Sequence, residues 1–180
     1  MIKSLDVIEN ELPNTEILPV ISTFPEIEIL PSVSWVTIEL INFLEKHFDK
    51  YPDAYIYHYN DYEKRALREL ASEYSSSFPK GNNFVDRLLR QEKFVDLYRV
   101  VSQCMQTTEK DLSLKTIEKF YRDERSANIK TADDSIRLFD DWCSTGDKTA
   151  MSDIINYNEE DCVSTHDLRN FLLENRPKDY

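Results

Sequence analysis

The sequence predicts an α/β layered domain, and two patterns carry that prediction. The first 34 residues are β-branched and broken by proline, whereas helical periodicities dominate from Trp35 onward. Inside this helical region a single short stretch, Ala54 to Tyr59, is continuously apolar or aromatic and reads as a buried strand. With 180 residues, 41% hydrophobic and 12% aromatic, the chain can bury a core and does not read as disordered. A single domain over 1–180 is expected, with 1–34 as an atypical strand-rich start and 35–180 as its main body.

The elements follow in order. Residues 1–34 hold Pro13, Pro19, Pro25 and Pro31 among runs such as ILPVIST and EIEIL, which suit short or edge strands. From Trp35, Ile38, Ile41, Phe43, Leu44 and Phe48 make an apolar stripe at helical spacing, ended by Pro52. The strand at 54–59 leads into a helix from about Tyr62 to Tyr74. Ser75 to Asn83, with Pro79, Lys80 and Gly81, reads as a polar loop. Phe84 to Leu89 reads as a short helix, and Phe94 to Cys104 as a strand end running into another. SLKTIEKFY at 113–121 forms a compact amphipathic helix, followed by a charged loop. Thr131 to Cys143 reads as a helix with Ile136, Phe139 and Trp142 inward. Gly146 punctuates it, and Ala150 to Glu174 forms one long helix or two abutting ones.

Composition removes several function classes. Two glycines in the whole chain exclude a Gly-rich phosphate loop. A net charge of -12 argues against a nucleic-acid coat or a polybasic membrane binder, since phosphate affinity comes from clustered Lys and Arg. It does not exclude a nuclease, whose site is itself acidic and recruits divalent cations. Cys104, Cys143 and Cys162 form no CxxC pair, so a zinc ribbon or disulfide framework is not expected. Free thiols, buried or half-buried in a reducing cytosol, are. No segment reaches membrane-spanning length and no leader pattern opens the chain, so a soluble cytoplasmic protein is expected.

With 34 acidic residues, any single Asp or Glu is first of all a solvated charge, and only combinations carry chemistry. Tyr157 and Asp161, in YNEEDCVSTHDL, stand one helical turn apart on nearly one face. The carboxylate suits a metal and the phenol suits a metal-bound water, although the bare spacing also fits a surface helix. Glu63 opens the helix after the buried strand, at the edge where open α/β sheets place their sites and where the helix N-terminus favours its charge. Asp61 beside it reads as an N-cap. Asp96, an acid within FVDLY, reads either as an N-cap or as a neighbour of a metal. His58 ends the strand beside Glu63 and is either semi-buried or a wall of the site. His47 and His166 read as surface or half-buried, and Trp35 and Trp142 as core or core-edge rather than base-stacking platforms. Ser164 and Thr165 have no base partner, so a hydrolase triad is not supported. Glu159 and Glu160 read as solvated charges.

Together the blocks YPDAYIYHYNDYEKRALREL, FVDLYRVV, SLKTIEKFY, DDSIRLFDDWCSTGD and IINYNEEDCVSTHDLRNFLLENRP resemble, in that order, the ribonuclease H-like exonuclease domain of RecB-related predicted nucleases. The wider group is the DEDD exonucleases, which hold two Mg²⁺ or Mn²⁺ ions with four carboxylates in three motifs. The resemblance implies a central mixed sheet flanked by helices and hydrolysis of phosphodiesters at DNA or RNA 3′ ends, in the 3′–5′ direction. Glu63 matches the acid of the second motif, and Tyr157 with Asp161 matches the third in its tyrosine form. Glu63 and Asp161 are thereby implied as metal ligands, and Asp96 as an architectural acid. Lys115, His58 and Asn60 are implied as candidate substrate contacts, and a helicase or second nuclease domain as a candidate companion.

One motif departs from the family. The first should supply Asp-x-Glu on an N-terminal strand, and residues 1–34 contain none. Asp6 with Glu9 is the nearest pair in a first strand, but on regular strand spacing its members point to opposite faces unless a bulge intervenes. Glu26 and Glu28 share a face but sit just before the first helix. The competing expectation is therefore a catalytically degenerate ribonuclease H-like domain that binds nucleic acid or protein. An unrelated helical interaction domain would require all five blocks to match by chance.

Overall fold

The computed structural model describes residues 33–123 and 132–176. The strands expected within 1–34 lie almost entirely outside them. The described chain falls into two compact units, one running to Leu112 and the other starting at Ser113.

In the first unit α1 spans Val33–Lys50. It sets Ile41 and Phe48 into the core, one heptad apart, with Leu40 and Leu44 packed beside them. After the turn at Pro52, the first strand, β1, is Ile56–His58. It is shorter than the expected 54–59, and Asn60 just beyond it takes a left-handed φ of 70° that turns the chain toward the next helix. α2 follows at Tyr62–Glu73 and buries Leu67 and Ala71.

α3 spans Pro79–Arg90 and corrects the loop expected over 75–83. Pro79 starts this helix rather than breaking it, since a first-turn residue has no helical partner for its N–H. Gly81 then brings the first turn against Phe78, whose ring occupies the place where a Cβ would stand. At the other end, Lys93 N–H donates to Leu88 O at 3.0 Å and Glu92 N–H to Leu89 O at 3.2 Å. That is a Schellman ending with Glu92 at the left-handed position, φ 53°.

β2 (Phe94–Asp96) pairs parallel to β1, with Ile56 against Phe94, Tyr57 against Val95 and His58 against Asp96. Parallel neighbours need a crossover, and α2 with α3 supplies it. Ile56 and Phe94 pack on the cluster of Ile41, Phe48, Leu67, Ala71, Phe84, Val85 and Leu88, so one sheet face closes the helical core. α4 (Leu97–Cys104) runs directly out of β2 and buries Leu97 and Val101. Of the expected central mixed sheet, this parallel pair is what the described residues contain.

In the second unit α5 is Leu114–Glu118, opened by Ser113, whose hydroxyl accepts the Thr116 N–H. α6 (Ala132–Thr145) and α5 both pack on α7, a single helix from Lys148 to Glu174. Between α6 and α7, Gly146 adopts φ 71° and its N–H closes on Trp142 O at 2.8 Å. Asp147 then caps α7 by accepting the Thr149 N–H at 2.9 Å.

Two expectations fail on α6 and at the cysteines. Ile136 and Phe139 are exposed, at 61% and 45%, rather than inward. The less exposed positions are Asp134, Ser135, Leu138 and Trp142, so the inward face is rotated from the one that Ile136 and Phe139 suggest. Cys104, Cys143 and Cys162 are all exposed, not buried or half-buried. No helix among the described residues is long and apolar enough to cross a membrane.

Candidate functional site

α7 carries a regular inward stripe. Ala150, Tyr157, Ser164 and Leu168 are buried, with Ile154, Asp161 and Phe171 half-buried between them, in alternating steps of four and three. Of these seven positions Asp161 is the charged one. A carboxylate within such a stripe loses hydration that an apolar residue would not miss, so packing alone does not explain it. Tyr157 stands one turn before it, 7% exposed. The ammonium of Lys115 on α5 lies 4.8 Å from the centre of the Tyr157 ring, a cation–π contact that fixes ring and ammonium together. The second unit thus brings together Tyr157, Asp161 and Lys115.

A clamp holds α7 at this height. Arg122 follows α5, and its Nη1 donates to Glu118 Oε1 at 3.1 Å and to the Glu160 carbonyl at 3.3 Å. Its Nε lies 3.5 Å from Asp167 Oδ2. Glu118 is 5% exposed, so the Arg122 charge offsets the burial of its carboxylate. Tyr121 and Ser164 share a hydroxyl–hydroxyl bond of 2.9 Å on the same stripe. Sequence reasoning missed this clamp; the four-residue step from Glu118 to Arg122 was the available signal. Glu160, expected as a solvated charge, is half-buried.

The first unit places His58, Asn60 and Glu63 around the end of β1. Glu63 is exposed in the first turn of α2, where the partial positive charge of the helix N-terminus favours it. Asp61 occupies the N-cap position, but its side chain makes no capping bond. Instead its N–H donates to Asn60 Oδ1 at 2.9 Å. Asp96 is the cap that the sequence suggested. Its Oδ1 accepts the Tyr98 N–H at 3.0 Å, opening α4, and also the Asn60 N–H at 3.0 Å. His58 is 5% exposed, and its Nδ1 bonds the Asn60 carbonyl. The phenol of Tyr59 donates to the Leu112 carbonyl.

Carboxylate oxygens such as those of Glu63 and Asp161 are the donor type that Mg²⁺ and Mn²⁺ prefer. The donor number does not fit: among the described residues no three His, Cys, Asp or Glu gather into a group able to hold a metal. Asp6, Glu9, Glu26 and Glu28 lie outside those residues.

The RNase_H_2 family model, of the RNase H superfamily, matches residues 36–173. That span includes Glu63, Lys115, Tyr157 and Asp161, and both units contribute to it. No curated protein and no solved structure gave a match.

Proposed function

This chain belongs to the RNase H superfamily, and from that premise we propose that it is a nuclease domain of the DEDD type, related to the RecB-associated group. Its substrates are 3′ ends of DNA or RNA, hydrolysed in the 3′–5′ direction. Asp161 and Glu63 are its carboxylates, and Tyr157 is the phenol that orients the attacking water. Lys115, held over the Tyr157 ring, brings a positive charge toward substrate phosphate. In such enzymes divalent cations polarise the phosphoryl group and lower the pKa of water. The described residues do not by themselves complete a site for them.

The observation that supports this reading best is the position of Asp161, a charge in the buried stripe of α7 one turn from a buried tyrosine. The test is trimming of a 3′-ended single strand by purified protein in Mn²⁺. Wild type is expected to shorten it, and Asp161→Ala to lose that activity. A wild type that cleaves no DNA or RNA end in any divalent cation sinks the reading.

A second reading has its own support. The missing Asp-x-Glu in residues 1–34 favours a degenerate domain that binds nucleic acid or protein. Calorimetric titration separates the two, because tight binding of two Mn²⁺ ions is incompatible with the degenerate form.

A further inference from the structure

His58 presents an unusual balance of bonded and unbonded nitrogens. It lies on the sheet face shared by Ile56 and Phe94, with its ring edge-on to Phe94 at 6.2 Å. Nδ1 faces the Asn60 carbonyl, an acceptor only, so Nδ1 carries the proton and donates. Nε2 is buried and has no partner among the described residues. An apolar ring would fill this space without stranding a buried nitrogen, so packing disfavours histidine here. What histidine supplies is the bond to Asn60.

That bond acts on a residue gripped from both sides. Asn60 sits at φ 70°, a conformation asparagine tolerates better than most residues. Its carbonyl is held by His58 and its N–H by Asp96 Oδ1 at 3.0 Å. Its own Oδ1 accepts the Asp61 N–H at 2.9 Å, immediately before α2 begins at Tyr62. Asp96 meanwhile is anchored by the Tyr98 N–H at the start of α4. The chain from β1 into α2 is therefore tied, by side chains of one strand pair, to the helix that leaves the neighbouring strand.

We infer that His58 and Asp96 form a latch on Asn60 that sets the start of α2, and that they are positioning residues for Glu63 rather than substrate contacts. The role in catalysis rests on the nuclease reading above; the latch itself does not. The geometry also assigns the two residues distinct tasks. Asp96 fixes where the loop lies by binding a backbone N–H, and His58 fixes the peptide orientation by binding the carbonyl of the same residue. Glu63, three residues beyond, inherits its direction from both.

A crossed pair of variants tests this in the full chain. His58→Phe keeps the ring and loses the donor. His58→Asn loses the ring, but its amide nitrogen takes the place of Nδ1 and can donate to the same carbonyl. A residue kept for packing favours Phe; a latch favours Asn. Hydrogen exchange of the Asn60, Asp61 and Arg65 amides, which donate to Asp96 Oδ1, Asn60 Oδ1 and the Asp61 carbonyl, is expected to rise at least tenfold in His58→Phe and in Asp96→Ala. It is expected to stay within threefold of wild type in His58→Asn and in Asp96→Asn, which keeps the Oδ1 acceptor. In the 3′-end assay, kcat is expected to fall at least tenfold in His58→Phe and to recover in His58→Asn, with KM unchanged in both.

Equal exchange in the Phe and Asn variants overturns the latch. An active wild type accompanied by an equally active His58→Phe overturns the positioning role. A wild type that cleaves nothing overturns the nuclease reading and with it the positioning of a catalytic carboxylate, whatever the exchange rates.

Discussion

Asp161 stands on the α7 stripe between Tyr157 and Ser164, both buried. On the nuclease reading its charge, rather than its shape, is what the site needs. Asp161→Asn keeps the size of the side chain and removes the charge, and is expected to abolish 3′-end trimming while Tm stays within about 2–4 °C of wild type in a chain of this length. Differential scanning calorimetry beside the cleavage assay checks it, and a larger fall in Tm would mean that the charge of Asp161 is a structural partner. The pairing of Tyr157 with Asp161 was legible from spacing because one helical turn fixes which side chains share a face. The importance of His58 was legible only as a location, at the end of a strand. Its bond to Asn60 depends on a left-handed φ that no apolar pattern announces.

At the scale of elements, periodicity located α1, α2 and α7 because each buries one stripe along several turns. It misread the start of α3, where Pro79 and Gly81 both look like breakers. The first turn of a helix is the place that tolerates the one, and a close-lying Phe78 ring requires the other. It also misphased α6, whose most apolar letters, Ile136 and Phe139, face outward. Tertiary bonds left no mark at all: Asp96 reaches Asn60 across 36 residues, and no local pattern encodes that. The end of α3 offers a test of the element logic. Glu92 holds the left-handed position of the Schellman ending at φ 53°, where a side chain costs about 1 kcal/mol relative to glycine. Glu92→Gly is expected to stabilise the protein by up to about that amount in urea unfolding with an unchanged m-value. Destabilisation would show that the Glu92 side chain makes a contact worth more than its backbone strain.

For the whole molecule, the family match leaves the first 35 residues outside it and takes in Glu63, Tyr157 and Asp161. A chain with net charge -12 has no general attraction for a polyanion, so on the nuclease reading productive contact with a 3′ end is local and cation-assisted. On the nuclease reading proposed above, Glu63 and Asp161 alone are too few oxygen donors for that task, because affinity for hard cations rises with the number and charge of the ligands. That reading then takes the remaining acids from the N-terminal segment, where Asp6 with Glu9 and Glu26 with Glu28 are two candidate pairs. Asp6 and Glu9 in LDVIEN differ from an Asp-x-Glu spacing by one residue, the length that a β-bulge absorbs. Glu26 and Glu28 already have the alternate spacing of one strand face, but they stand next to α1 rather than in a first strand. Chain order favours the first pair. The double variant Asp6→Asn with Glu9→Gln is therefore expected to lower Mn²⁺-dependent trimming by about a hundredfold, since losing even the outer partners of metal ligands costs about 10–100-fold. Glu26→Gln with Glu28→Gln is expected to stay within a few-fold of wild type. Thermal unfolding of both variants at wild-type Tm secures the comparison. The opposite ordering would assign the first motif to Glu26 and Glu28. Full activity in both variants would mean that neither pair completes the site, and both candidate first motifs would fall.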